Sequence, residues 1–208
     1  MASAVVVVIF TVYQERLSVL LIERAADPCR GQWALPGGVL RPAESLDGAA
    51  SRKLADETGV SEVFLEQLYT FDRLGDGLAE TVVTYFALVD MAQVRLRSDL
   101  EWRPAWHPAR TLPPLAFENE RILGYAEERL RSKLEYTNVV YSLLPAQFTL
   151  TQMQRVYEAI LGEPMDKRNF RRRVVGLDIV RETGQTLKLG AHRPAMLYEF
   201  ISRAPMSL

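Results

Sequence analysis

The chain has 208 residues, of which 48% are hydrophobic and 25% charged, and its formal net charge is -1. These values are ordinary for a soluble globular protein of one large or two small domains. A membrane protein is not expected, because the apolar run of residues 4–12 is too short to cross a bilayer. The single cysteine, Cys29, excludes an internal disulfide, and we therefore expect a cytoplasmic location.

The first part of the chain is predicted to be rich in strands, with one helix inserted among them. Strands are predicted at residues 4–12, 17–23, 63–71 and 81–89, with a polar turn at 14–16. Helical spacing predicts helices over residues 46–58 and 118–134. Four prolines after Trp102 are expected to interrupt regular structure between the last strand and the second helix, and Trp33 is expected in the core.

Residues 37–60, GGVLRPAESLDGAASRKLADETGV, carry the most informative spacing of the chain. Positions three and four apart on a helix share a face, so Lys53, Asp56 and Glu57 are predicted to lie together. Any surface helix with such a charge pattern would show the same spacing. The glycines at 37 and 38, which follow Pro36, favour a specific motif over that alternative.

This segment resembles a Nudix box, and nine positions of the box pattern align without gaps, seven of them identically. The aligned positions are Gly38, Glu44, Arg52, Lys53, Leu54, Asp56, Glu57, Gly59 and Val60. Two of them depart from the pattern, because Lys53 and Asp56 each stand where the family has glutamate. The resemblance implies an α/β (α+β) Nudix fold, in which a mixed sheet is sandwiched by helices.

Lys53 is the departure with chemical consequences. In an intact box the corresponding residues are carboxylates, which suit magnesium and its bridging to substrate phosphates. A charged ammonium has three donors and no lone pair, so Lys53 would repel that ion. It could instead act as a built-in cation that pairs with Asp56 and Glu57 and reduces their repulsion toward a diphosphate. Binding would then survive while hydrolysis fails, and neither a metal nor a catalytic residue is expected.

The second part of the chain has a different charge balance. Residues 1–137 contain 15 Lys and Arg against 20 Asp and Glu, whereas residues 138–208 contain 10 against 6. This asymmetry predicts two domains, 1–137 and 138–208, the second with a polyanionic partner. Five of its basic residues fall within seven positions, at 167, 168, 171, 172 and 173.

The elements predicted after Phe148 form a winged helix-turn-helix. One helix is predicted from Leu150 to a stop at Gly162, and a second from Lys167 to Leu177 with Asp166 as its N-cap. A hairpin is predicted from strands 179–182 and 186–189 around a turn at 184–185. In a helix-turn-helix the second helix enters the major groove of DNA. By periodicity alone, a basic helix of this kind is more often just a solvated face of a helical bundle.

Residues 134–180, with HRPAMLYEF from residue 192, are similar to the C-terminal domain of the Nudix-related transcriptional regulators of the NrtR family. The stretches FTLTQMQRVYEAILG and DKRNFRRRV carry the similarity most specifically. The resemblance implies a homodimeric bacterial repressor of NAD metabolism or sugar-catabolism genes that binds a palindromic double-stranded operator. ADP-ribose or a related nucleotide, bound in a Nudix domain with a degenerate box, would release it.

The resemblance also supplies candidate residues. DNA contacts are expected from Lys167, Arg168, Asn169, Arg171, Arg172 and, in the wing, Arg193. Ligand contacts are expected from Arg24, Arg30, Gly37, Gly38, Phe71 and Arg73, although an aromatic on a strand such as Phe71 is more often core. Within the box, Arg52 is expected to hold Glu44 in a partly buried structural pair.

A second function remains open from the sequence alone. Asp56 and Glu57 are retained, and both could bind magnesium in a working hydrolase that cleaves ADP-ribose to AMP and ribose 5-phosphate. Magnesium is a cofactor only under this alternative. Lys53 discriminates between a regulator with impaired hydrolysis and an enzyme.

Overall fold

The apolar run near the N-terminus forms strand β1 (Ser3–Tyr13), and its hairpin partner is β2 (Arg16–Glu23). The turn between them has positive φ at both central residues, 47° at Gln14 and 59° at Glu15, which matches the twist of a two-residue hairpin. The computed structural model describes residues 3–61, 63–72, 81–98, 101–188 and 194–206. It divides into two units, Met1–Thr11 with Leu17–Arg129 and Val12–Arg16 with Leu130–Leu208.

The first unit is built on a mixed seven-stranded sheet. Its main path runs β3-β2-β1-β6-β5, with β4 beside β1 and β7 beside β2. The further strands are β3 (Trp33–Ala34), β4 (Gly37–Val39), β5 (Glu66–Asp72), β6 (Thr81–Leu88) and β7 (Arg103–Pro108). Strand β1 is parallel to β6 and antiparallel to β4, so the mixed sheet predicted from the sequence is confirmed.

Strand β7 corrects the prediction that the prolines after Trp102 interrupt regular structure. It pairs antiparallel with β2, and Pro104 lies opposite Ile22 while Pro108 lies opposite Ser18. Proline lacks an N–H and is tolerated in a strand only where that donor is not needed by a neighbour. Within the described strands β7 is paired with β2 alone, so its prolines remove no hydrogen bond from a second partner.

Helix α1 (Leu46–Thr58) covers one face of the sheet and has the predicted bounds. Ser45 caps its N-terminus by accepting a hydrogen bond from Gly48 N–H, and Gly59 ends it with a left-handed φ of 79°. Its small and apolar residues are buried with the sheet residues Val5, Val7 and Ile9. The burial of Ala49, Ala50 and Leu54 in that core fixes which face of α1 carries the remaining side chains.

The described C-terminal part of the chain consists of helices and a two-stranded sheet. Helix α2 (Asn119–Tyr136) is followed by α3 (Leu150–Leu161), α4 (Lys167–Gly176), β8 (Val180–Leu187) and β9 (Ala195–Phe200). Thr149 and Gln152 form a capping box at the start of α3, and Gly162 ends it with a φ of 78°. The second unit starts within α2, before the predicted boundary at residues 137 and 138.

The predicted hairpin around residues 184–185 is wrong in its pairing. Strand β8 continues through Gly184, whose φ is 75°, and pairs antiparallel with β9. The register shifts between Glu182 and Thr186, so the glycine lies in an irregularity of one strand rather than in a reversal. A two-stranded wing still follows α4, but its second strand begins at Ala195. Residue 189 of the predicted second strand lies outside the described residues.

None of the described helices combines the length and the apolarity that crossing a bilayer requires.

The N-cap of α3 at Thr149 can be tested by substitution. Its hydroxyl accepts from Gln152 N–H at 3.1 Å, and Gln152 Oε1 accepts from Thr149 N–H at 2.7 Å. Thr149→Ala removes the first bond, and we expect it to lower the free energy of unfolding by about 1 kcal/mol in urea denaturation. Thr149→Ser keeps the hydroxyl, and we expect a clearly smaller decrease in the free energy of unfolding. Equal losses in the two variants would contradict the role of the cap.

Candidate functional site

A cavity of about 250 Å³ lies in the first unit, beside β4 and the C-terminal half of α1. We call it the α1 cavity. Two of its charged lining residues are positive and two are negative, and small aliphatic side chains form much of the remaining wall. The charged residues are Arg24, Asp27, Lys53 and Glu57. Trp102, Phe117 and Asn119 also line it, with Gly37 and Gly38.

Glu57 is the buried anchor of this cavity. Its side chain is only 3% exposed, and one carboxylate oxygen accepts from Gly37 N–H at 2.8 Å. The other oxygen accepts from the Lys53 ammonium at 3.2 Å. Burial raises the pKa of Glu57, while the Lys53 charge and the Gly37 hydrogen bond oppose that rise. The carboxylate therefore depends on these two donors to remain charged inside the protein.

Lys53 lies directly over the backbone of β4. A Cβ atom built on Gly38 would lie 2.7 Å from Lys53 Nζ and 2.8 Å from its Cε. Residue 38 must therefore remain a glycine for the lysine to keep this position. The predicted pairing of Lys53 with Glu57 is present, and it brings an ammonium to the wall of the cavity.

Asp56 does not take part in that pairing, contrary to the expected trio of Lys53, Asp56 and Glu57. Its side chain is 57% exposed and lies 3.7 Å from the Arg52 guanidinium. The helix places residues 52 and 56 on one face as well, and the arginine there is a closer partner for the aspartate. Asp56 is also not among the residues that line the α1 cavity.

Arg52 joins the helix to the loop that precedes it. Its Nε and Nη2 donate to the two oxygens of Glu44 at 2.6 and 2.7 Å, which confirms the predicted partly buried pair. Arg41 N–H also donates to Glu44, at 2.9 Å. The Arg52 hydrogen bonds, followed by that from Arg41, lower the pKa of Glu44 to about 2. This pair is structural, because it fixes the loop that carries Glu44 against α1.

These contacts do not form a magnesium site. Magnesium needs several oxygen ligands in near-octahedral geometry, and no group of three or more His, Cys, Asp or Glu able to hold a metal occurs in the part of the chain that the structure describes. Glu44 and Asp56 are engaged by Arg52, and Glu57 is engaged by Lys53. The residues present therefore do not fit the metal that an intact box would hold.

Arg24 also lines the cavity and lies close to two aromatic rings. Its guanidinium carbon lies 5.3 Å from the ring centroid of Trp102 and 4.6 Å from that of Phe117. Its Nε donates to Pro28 O at 2.8 Å. Both rings are within cation–π range, so Arg24 presents a fixed positive charge among flat apolar surfaces. Burial lowers the pKa of Arg24.

Trp102, Phe117 and Asn119 were not predicted as site residues. Phe117 has a φ of 58°, which is unusual for an aromatic residue and is found most often at functional sites. Asn119 accepts from Leu35 N–H at 2.8 Å and so ties the start of α2 to the chain before the box. No local sequence pattern distinguishes these residues, because the sheet brings their loops to the cavity.

Phe71 and Arg30, which were also predicted to bind the ligand, lie elsewhere in the first unit. Phe71 is 4% exposed and packs against the rings of Tyr69 and Tyr125, at 5.0 and 5.9 Å between centroids. It is not among the lining residues of the α1 cavity, and neither is Arg30, which is exposed. Arg73 lies outside the described residues. Trp33 is half-buried and meets the His107 ring edge-on at 4.4 Å.

Helix α4 presents a basic face, formed by Lys167, Arg168, Asn169, Arg171 and Arg172, all of which are exposed. The opposite face carries Phe170 and Val174, which are buried, and Phe170 packs against the ring of Tyr157 on α3 at 5.2 Å. Asp166 caps the helix by accepting from Asn169 N–H at 2.8 Å. Packing on α3 therefore directs the basic face outward. Arg193 lies outside the described residues.

Two helices in this arrangement, followed by a two-stranded sheet, define a winged helix domain that is placed after a Nudix domain. The family description "NUDIX domain" matches residues 2–125, and "NrtR DNA-binding winged helix domain" matches residues 140–200.

Two similar proteins match most of the length of the chain. The chain is 38% identical over 201 residues to the ADPR responsive transcriptional repressor NtrR of Acinetobacter baylyi, covering 92% of this chain and 79% of the relative. The crystal structure of Shewanella oneidensis NrtR complexed with a 27mer DNA matches with a TM-score of 0.77 at 34% identity, covering 95% of this chain and 92% of that one. The chain therefore belongs to the NrtR family.

A structure of the isolated sensor region is also similar. The Nudix domain of Shewanella oneidensis NrtR, crystallised with ADP ribose, matches with a TM-score of 0.53 at 31% identity. The match covers 62% of this chain and 87% of that domain.

The Glu44–Arg52 pair predicts a specific pH dependence. Because the pKa of Glu44 falls from an ordinary 4.5 to about 2 on folding, the ionised carboxylate stabilises the folded state at neutral pH. That contribution is lost as the pH falls from about 4.5 toward 2. We expect Glu44→Gln to be less stable than the unaltered chain at neutral pH, with the difference shrinking over this window. Thermal unfolding midpoints measured against pH would show it, and a constant difference would contradict it.

Proposed function

We propose that this protein is a transcriptional repressor that binds operator DNA through its winged helix domain and is released when ADP-ribose or a related nucleotide binds its Nudix domain. The basic face of α4 is the observation that carries the proposal, because packing on α3 exposes its side chains together. The Acinetobacter relative is described as an ADPR responsive repressor. The proposed targets are genes of NAD metabolism or sugar catabolism. The protein is proposed to be cytoplasmic and to bind a palindromic operator as a homodimer.

DNA binding by this face has a direct physical basis. Arginine and lysine neutralise backbone phosphates and release counterions, which makes affinity strongly dependent on salt. Side chains near the start of a recognition helix also reach base edges, and an arginine can donate two hydrogen bonds to guanine. Lys167, Arg168, Asn169, Arg171 and Arg172 are the proposed contacts on α4. Arg193 is proposed for the wing.

The effector is proposed to occupy the α1 cavity. Arg24 and Lys53 supply positive charge for a diphosphate, while Trp102 and Phe117 supply apolar surface for a base or sugar. Gly37 and Gly38 permit close approach to the backbone. Arg30, Phe71 and Arg73 are proposed to contact parts of the ligand beyond the described cavity. Release of DNA requires that the effector bind the DNA-free state more tightly than the DNA-bound state.

Hydrolysis is proposed to be impaired because Lys53 stands where the box requires a carboxylate. The alternative, a working ADP-ribose hydrolase, is favoured by the retention of Asp56 and Glu57. However, Asp56 lies beside Arg52 and Glu57 is bound by Lys53, so neither carboxylate is free to hold a metal in this arrangement.

The DNA-binding face is tested by charge reversal. Combining Arg168→Glu with Arg172→Glu removes two phosphate or base contacts and adds repulsion, and we expect affinity to fall by about 100-fold or more. Gel shifts on the promoter upstream of the protein's own operon would show the shifted band disappear. Arg95→Glu combined with Arg129→Glu reverses two exposed charges of the first unit and serves as the matched control. An unchanged gel shift in the α4 variant would contradict the assignment of α4 as the DNA-binding helix.

One incubation distinguishes a regulator that only binds ADP-ribose from a hydrolase that cleaves it. We expect ADP-ribose, added with magnesium to the protein–DNA complex, to release the duplex and to be recovered without formation of AMP. Lys53→Glu restores a carboxylate at the box position and is expected to recover some hydrolysis. Gel shifts and chromatography of the nucleotide measure the two outcomes. Robust turnover by the unaltered protein would favour the hydrolase.

A further inference from the structure

We propose that Lys53 takes the place of a divalent cation in the α1 cavity, so that its ammonium binds the diphosphate of the effector directly and no magnesium is needed. The inference rests on the proposed function, because it specifies how the same cavity holds its nucleotide. It concerns binding affinity and not turnover, and it can therefore be tested on a protein that hydrolyses nothing.

The position of the ammonium supports this role. Lys53 lines the α1 cavity, and its side chain is 23% exposed. The amine is held from one side by Glu57 at 3.2 Å and lies against the backbone of Gly38. An ammonium has three N–H donors, and one of them is used by Glu57. The others are available to oxygens of a phosphate group placed in the cavity.

The acids of the box are arranged in a way that disfavours a metal. Arg52 binds Glu44 through two hydrogen bonds and lies 3.7 Å from Asp56. The third acid, Glu57, is the only one of the three that lines the cavity. Its oxygens already accept from Gly37 N–H and Lys53. A magnesium ion would have to displace the ammonium from Glu57 and would gain a single carboxylate of the box in return.

The charge balance of the cavity wall leads to the same conclusion. Arg24 and Lys53 offset Asp27 and Glu57 among the charged lining residues, so a diphosphate meets a wall without net negative charge. With glutamate at position 53, three carboxylates would face one arginine, and a diphosphate would require added cations. A lysine at this position supplies that positive charge covalently.

Binding requires Lys53 to be shared between two anions. The phosphate oxygens compete with Glu57 for the ammonium, and the Glu57 charge itself repels the diphosphate. Glu57 therefore opposes binding in this scheme, whereas in a metal-dependent site the same residue would be a ligand and would promote it. The two mechanisms predict opposite signs for the loss of the Glu57 charge.

Calorimetric titration of the full-length protein with ADP-ribose, in excess EDTA and in excess magnesium, provides the test. We expect the dissociation constant of the unaltered protein to agree within about twofold between the two conditions. Lys53→Met keeps much of the side-chain volume but removes the charge, and is expected to weaken binding by about 10-fold or more in both. Lys53→Glu is expected to bind only with magnesium. Arg95→Met, which removes an exposed charge not found in the cavity lining, should bind like the unaltered protein.

Glu57→Gln adds a measurement with a diagnostic sign. Its amide oxygen can still accept from Gly37 N–H, while the charge that competes for Lys53 is removed. We expect tighter binding in EDTA, by several-fold. Weaker binding that depends on magnesium would instead identify Glu57 as a metal ligand and overturn the proposal.

The failure of this inference is distinguishable from the failure of the proposed function. Binding by the unaltered protein only in magnesium, or unchanged affinity in Lys53→Met, would overturn the role of Lys53 while leaving an ADP-ribose sensor in place. Absence of ADP-ribose binding in both conditions would overturn the effector itself. The comparison with and without magnesium uses the unaltered protein, so it stands even if a thermal melt shows that a variant does not fold.

Discussion

The burial of the Glu57 carboxylate is the constraint on which the arrangement of the cavity depends. A charged group that is 3% exposed must be matched by donors, and here those donors are Gly37 N–H of β4 and the Lys53 ammonium of α1. The first contact fixes the strand against the helix. The second fixes the position of the ammonium beside Gly38, where a Cβ atom would meet it. One buried acid thus determines the local backbone, the charge and the shape of the wall.

The sequence predicted those elements whose limits are set by nearby residues. Helix α1 starts after the Ser45 cap and ends at Gly59, and α3 starts after Thr149 and ends at Gly162, so local signals were sufficient. Strand β7 was missed because its prolines disfavour a strand in isolation, and only pairing with β2 accounts for it. The wing was mispaired because the Gly184 region resembles a turn, whereas the true partner of β8 begins at Ala195.

The same distinction applies to the site. The contact between Lys53 and Glu57 follows from helical spacing, and so does the outward face of α4. Spacing alone could not decide whether Asp56 would join Lys53 or Arg52, because both partners lie within reach on one helix. Trp102 and Phe117 come from segments far from the box in the chain, and their approach to Arg24 results from the tertiary fold. Spacing therefore predicted the pair of Lys53 and Glu57 but not the aromatic surfaces of the cavity.

The contacts of Arg24 have a consequence for binding in the proposed effector site. Its guanidinium is held by Pro28 O and by two aromatic rings of the protein itself, so much of its rotamer entropy is already lost in folding. An incoming anion does not have to order this long side chain, and that share of the usual entropic cost of association is absent. In the proposed effector site, a preorganised cation of this kind would favour tight binding, and it would leave the adjustment of the cavity to the Lys53 ammonium.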